Sequence, residues 1–492
     1  MANDNSRRTF LKAAGLSGVG LLGSLAGCAR GGSGGDSGGS GETDGSGGST
    51  TSGSDGGDGG SDESGSGDLP IPLDEYTSAD IEWQQFEGTE VNIGAVQHPW
   101  VEAIRPAVPV FEELTGIDVV WNILPEQEFR TKRLTDVSTG AGEFDAFYLD
   151  QVVNQFRDSG WLQPLDPYFD DDSMFDEEWF ETNDLLEASR QQAHGAGLSD
   201  TWTGMPITVE VLTTFYRTDL YEKHDLEVPE TMAELRENAR IIDENEDIAG
   251  CCARGQQGYG MNIYIQNSFI REWGEELWDE YPSDSALDNE AAIEAGEFYV
   301  NTLQDYGPEG ASSQVWSDVL STMQSGEAGH ILADANLFWG GLTDPDASDV
   351  ADNIGITTMP VPDVEGGRFA PNAFTWQLST SENADNSEQA FLFMIWACSK
   401  PTMNWMYVNQ GASFPVRQST WENDDFVSEV GEEFTSTSLE SLQGAIGDPF
   451  DPQYPEWGQD YSEELQLAIG GDKSVEEAFT DAAAAAEDIA GQ

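Results

Sequence analysis

The chain has 492 residues, with 92 acidic and 20 basic side chains and a formal charge of −72. So acidic a surface excludes a polyanionic partner, because every phosphate contact draws on Lys or Arg, and nucleic acid is not the ligand. With 38% hydrophobic residues and 15 Trp, the bulk of the chain has the apolar material for a large core.

Self-repulsion at this charge is screened within about 3 Å at 1 M salt, so the composition predicts a salt-adapted protein of an extreme halophile. The four cysteines give no disulfide framework: Cys251 and Cys252 are adjacent, Cys398 sits in an apolar run, and Cys28 belongs to the leader.

In chain order, the first feature is a basic segment around Arg7 and Arg8, followed by an apolar run over residues 13–26. That run is shorter than the roughly 20 residues a membrane-spanning helix needs, and it follows a positive segment as an export signal does. Arg7-Arg8 resembles a twin-arginine export signal, and Leu25-Ala26-Gly27-Cys28 resembles a lipobox whose cysteine becomes lipid-modified. Residues 1–28 are therefore read as a leader ending at Cys28. Residues 29–68 are nearly all Gly, Ser, Thr and acidic residues, and are expected to form a disordered spacer with a reach of roughly 35 Å.

Beyond Phe86 short strands alternate with amphipathic helices, the pattern of an α/β protein. A strand is predicted over 89–94, a helix over 109–115 stopped by Gly116, a strand over 117–121, and a helix over 126–139 stopped by Gly140. The run Phe144-Asp145-Ala146-Phe147-Tyr148-Leu149-Asp150 reads as a buried strand with an acid at its C-terminal end. Thr231 and Glu234 form a predicted capping box, as do Ser474 and Glu477 at the head of the final helix. Between them, helices are expected at about 289–305, 314–325 and 388–399, and strands at 330–334 and near 354–359. The length favours two lobes over one.

Several short words stand in order along the chain: Phe111-Glu112-Glu113-Leu114-Thr115-Gly116-Ile117, Gly204-Met205-Pro206-Ile207, Phe215-Tyr216-Arg217-Thr218-Asp219-Leu220 and Val228-Pro229-Glu230-Thr231. Arg254-Gly255 with Gly258 and Gly260, Tyr306-Gly307-Pro308, Gly326-Glu327-Ala328 and Gly411-Ala412-Ser413-Phe414-Pro415-Val416-Arg417 follow. Together they resemble the family 1 extracellular solute-binding proteins of ABC sugar and polyol importers. The sorbitol/mannitol-binding branch, in a haloarchaeal-type lipoprotein, is the nearest likeness.

The resemblance implies a two-lobed, type II periplasmic-binding-protein-like α/β fold with several crossings between lobes. By analogy lobe 1 spans 86–206 plus about 368–410, and lobe 2 spans 207–363 plus about 411–492. It also implies capture of a sugar or polyol in the cleft, delivery to ABC permease subunits, and a monomer held by its lipid on the extracellular face of the cytoplasmic membrane. No cofactor, metal or catalysis is expected.

A polyhydroxy ligand needs hydrogen-bonding acids and amides together with flat aromatic faces. Asp150 ends a buried strand where open α/β sheets bind ligands, and the resemblance aligns it, Glu210, and Asp334 with Trp339, with cleft residues. His98 and Trp100 lie in the loop after the first strand. Arg254 and Arg417 are rare cations, suited either to ligand hydroxyls or to internal ion pairs. Trp376, Trp202 and Trp273 are candidate stacking platforms. Two alternatives stay open: an exported glycoside hydrolase, with Asp150 and Glu210 as its carboxylate pair, and a sensor ectodomain for the same ligands. Metal uptake is disfavoured, because His98, His194, His224 and His330 are not spaced as a ligand cluster.

Overall fold

The computed structural model describes residues 69–195, 199–258, 260–449 and 451–491. Arg7, Arg8, Cys28 and the expected spacer lie outside the described residues.

Two five-stranded sheets organise the molecule. The strands in chain order are β1 (Glu90–Val96), β2 (Asp118–Leu124), β3 (Ala146–Leu149), β4 (Met205–Pro206), β5 (Glu210–Arg217), β6 (Trp278–Glu280) and β7 (Asp284–Ser285). They continue with β8 (His330–Ala335), β9 (Ile354–Thr357), β10 (Asn372–Phe374), β11 (Gln377–Thr380) and β12 (Ile446–Gly447). The first sheet has the order β2-β1-β3-β11-β4. The second has the order β12-β10-β5-β8, with β9 also paired to β5, and β6 and β7 form a separate hairpin. In the first sheet β1, β2 and β3 are parallel and β11 runs against β3, with Gln377 opposite Leu149.

The chain passes from the first sheet to the second between Pro206 and Glu210 and returns between Phe374 and Gln377. This differs from the expected return at about residue 368, because β10 still pairs with β5 and β12. Two further differences concern boundaries. Residues before Phe86 already pack on the first body, where the Tyr76 hydroxyl meets that of Thr402 at 2.8 Å. Phe414, Val416, Trp421, Phe426 and Phe434, expected with the second lobe, join a hydrophobic cluster shared by both sheets, which holds Val91 and Phe147 as well as Phe215 and Ile331. Helix Glu432–Gly444 then packs on β5 and β9.

Local signals explain the elements. The helix Val108–Thr115 ends at Gly116 (φ 71°) and Glu126–Thr139 ends at Gly140 (φ 67°), both in the left-handed conformation that glycine adopts without steric cost. At Thr231 the capping box is complete: its hydroxyl accepts from Glu234 N at 3.2 Å and the Glu234 carboxylate accepts from Thr231 N at 3.0 Å. The apolar helix Ser387–Cys398 is buried almost throughout against the first sheet, as a helix apolar on all sides must be. A second core is built by the helices Asn262–Glu272, Glu290–Tyr306, Tyr454–Gly470 and Val475–Ala490. Cys251, Cys252 and Cys398 are buried free thiols. Among the described residues no helix is long and apolar enough to cross a membrane.

Candidate functional site

Between the sheets lies a cavity of about 540 Å³, partly open to solvent. One wall comes from the first sheet. Past β1 the chain runs through Gln97 and His98 into helix Pro99–Ile104, and the His98 ring caps that helix: Trp100 N donates to Nδ1 at 3.1 Å. In the neutral ring this leaves the proton on Nε2, which faces Glu210 Oε1 at 3.3 Å. From helix Glu126–Thr139 come Glu126 and Arg130, paired at 2.8 Å.

The opposite wall belongs to the second sheet. Glu210 opens β5 directly after the first crossing, and its Oε1 also accepts from Thr208 Oγ1 at 3.2 Å. Arg254 offers two nitrogens to the Asp334 carboxylate, Nε at 3.0 Å, while its Nη1 donates to Gly260 O at 3.0 Å. Tyr264 lies under that guanidinium, 5.1 Å from ring centre to Cζ. Trp316, Leu337, Phe338, Phe374 and Trp376 supply the apolar surface, with Trp376 in the second crossing. A second polar link joins the sheets beside that crossing, where Gln151 Nε2 donates to Asp448 Oδ2 at 3.0 Å.

Of the residues singled out in the sequence, His98, Glu210, Arg254 and Trp376 meet on this cavity. Asp150 and Asp334 lie one layer behind it. Both are fully buried; Asp150 pairs with Arg130 at 3.1 Å and Arg133 at 3.4 Å, and Asp334 is taken up by Arg254 and Ala335 N. Each acid therefore holds an arginine that forms the wall, instead of forming it.

Their electrostatics diverge. Burial alone would raise the Asp150 carboxyl, but the two arginines and the amide of Val152 outweigh it and hold it below the usual range. For Asp334 burial prevails over Arg254 and the Ala335 amide, the nearby Glu210 adds to it, and the carboxyl is pushed up.

The remaining candidates lie elsewhere. Trp100 is buried edge-on against Tyr148, with ring centres 5.9 Å apart. Trp339 stacks on Phe434 at 5.5 Å, donates Nε1 to Val430 O at 2.8 Å, and borders a different cavity of about 420 Å³. Arg417 is fully buried, bonded to Cys398 O at 2.7 Å and Asp184 Oδ2 at 3.1 Å, which is the internal ion pair and not a ligand fork. Trp202 packs on Phe169, and Trp273 on Phe298. Sequence reasoning missed Glu126, Arg130, Tyr264 and Trp316. Arg130 carried a usable signal, as one of 20 basic residues on the helix after a parallel strand.

The sequence pattern of the bacterial extracellular solute-binding proteins matches residues 94–404. The chain is 24% identical over 428 residues to an erythritol/L-threitol-binding protein of Mycolicibacterium smegmatis, covering 84% of this chain and 88% of the relative. It is 29% identical over 358 residues to a mannitol-binding protein of Pseudomonas aeruginosa, covering 70% and 76%. Among solved structures, an ABC transporter solute-binding protein of Agrobacterium vitis with bound D-mannitol superposes with a TM-score of 0.71 at 26% identity, covering 82% of this chain and 98% of that one. Two sheets joined by repeated crossings around a cavity, together with a pattern match over most of the folded region, identify the chain as a member of the bacterial extracellular solute-binding protein family.

Proposed function

We propose that this protein captures an uncharged polyhydroxy molecule, a polyol or a sugar, outside the cell and delivers it to the permease of an ABC transporter. The observation that carries the reading is the balance of the cavity wall. Two carboxylates, Glu126 and Glu210, face two guanidinia, Arg130 and Arg254, with aromatic and aliphatic surface between them. Such a wall offers donors and acceptors to many hydroxyls and flat faces to C–H groups, with no net formal charge to favour an ion. The relatives that bind erythritol, threitol and mannitol support the polyol class.

Glycoside hydrolysis would need two carboxylates flanking the bond to be cut. The position of Asp150 behind Arg130 and Arg133 argues against the Asp150/Glu210 pair. The leader and Cys28 support export followed by lipid anchoring at the outer face of the membrane, and the charge of −72 supports function in concentrated salt.

Thermal melting in about 2–3 M KCl against a panel of alditols, monosaccharides and disaccharides tests the reading. A ligand at 100 times its Kd adds about 2.7 kcal/mol and raises Tm. A panel without any shift, or chemically altered carbohydrate recovered afterwards, overturns it.

A further inference from the structure

The polar groups of the cavity wall are not equally committed. Glu210 Oε1 already accepts from His98 and Thr208, and three of the five N–H donors of Arg254 are engaged by Asp334 and Gly260. Tyr264 is different. It is 2% exposed, it lines the cavity, and its phenol oxygen is buried without a hydrogen-bond partner.

Nothing lets that oxygen escape. The ring has the Arg254 guanidinium on its face and Phe374 at its edge, with ring centres 6.0 Å apart. Its own carbonyl accepts from Asn372 Nδ2 at 2.9 Å, and two residues earlier Asn262 ties the helix to Ser462 O at 3.0 Å. A buried hydroxyl with no partner is costly, and native proteins retain one chiefly where a further group completes it. Burial, reinforced by the charge of Glu210, holds the phenol well above its ordinary pKa. It therefore stays protonated and can both donate and accept.

We propose that Tyr264 Oη hydrogen-bonds one hydroxyl of the bound polyhydroxy molecule and makes the protein discriminate against the analogue lacking that hydroxyl. This rests on the reading of the cavity as a polyol or sugar site. A site built to pair a ligand hydroxyl rejects the deoxy compound because its own buried group is then left unpaired.

The test is calorimetric titration, in about 2–3 M KCl, of the wild type and Tyr264→Phe with D-mannitol, ribitol and erythritol. The monodeoxy derivatives of the tightest of the three follow. The wild type should bind one derivative at least tenfold more weakly than its parent. Tyr264→Phe should bind the parent about tenfold more weakly and no longer distinguish that derivative. Unliganded Tyr264→Phe should melt at or above the wild type, because only an unpaired hydroxyl has been removed.

A variant with unchanged affinity and unchanged ranking overturns the assignment of Tyr264 while leaving the polyol reading intact. A wild type that binds every monodeoxy derivative as tightly as the parent does the same without using the variant. A wild type that binds none of the three alditols, nor glucose or maltose, overturns the polyhydroxy reading and this inference with it.

Discussion

The two walls of the cavity use the same device with different strength. On the first-sheet side Asp150 lies under two arginines and an amide, and its carboxyl is held below the usual range. On the second-sheet side Asp334 lies under one arginine, close to Glu210, and its carboxyl is pushed up. A third acid extends the series: Glu272 is fully buried, burial is the main influence on it, only the Ala370 backbone amide opposes, and its carboxyl is pushed far up. Burial is common to all three, so the number of guanidinia supplied sets whether an acid's carboxyl is held below its usual range or pushed above it. The teaching is that a buried acid beside a cavity is best read through the cation it immobilises.

That ordering can be broken experimentally. The largest effect is expected for Asp150→Asn, which removes the shared counter-charge of two buried guanidinia, leaving Arg130 its Glu126 pair and Arg133 its bond to Tyr148 O, and should cost about 3–5 kcal/mol in denaturant unfolding. A cost near zero would remove the idea that Asp150 organises the first wall. Because the folded-state pKa of Asp150 is lowered, its contribution is present above the ordinary carboxylate range and is lost as pH falls through the lowered value. Asp150→Asn should therefore flatten the acid limb of a stability profile.

Asp334→Asn strands one guanidinium that keeps its bond to Gly260 O, so about 3 kcal/mol is expected, with weakened ligand binding as Arg254 loses its bidentate hold. Equal or greater loss than for Asp150→Asn would reverse the comparison.

Glu272→Gln should act with the opposite sign. The raised folded pKa means that stability is full below the unfolded value, near pH 4.5, and is lost as pH rises towards the folded one. The variant should match the wild type at pH 4 and exceed it by on the order of 1 kcal/mol or more at pH 8. The smallest effect serves as the control. Trp339→Phe gives up the bond to Val430 O, about 1 kcal/mol, and should leave ligand affinity untouched because Trp339 borders another cavity.

Much of the fold was legible from local chemistry. Gly116 and Gly140 stop their helices because each takes the left-handed conformation, and Thr231 with Glu234 closes a complete capping box. The strands around Val91, Tyr148 and Ile331 followed from their apolar runs. Helix Asn262–Glu272 escaped for a physical reason: every one of its residues is buried although six of the eleven are polar, so residue polarity does not report which positions face the core. Tyr264 was hidden with it.

The site was half legible. A sequence shows that Asp150 and Asp334 end buried strands, but not that an arginine from another element will close over each. The same blindness made Arg417 and Trp339 candidates, although Asp184 and Val430 satisfy them outside the cavity wall.

Glu210 begins the strand that follows the outward crossing, and Trp376 sits within the return crossing. A guest touching both therefore leans on the very joints about which the two bodies would pivot. Recognition and the angle between the halves become a single mechanical variable, so a transporter that gauges posture alone is also informed of the cargo.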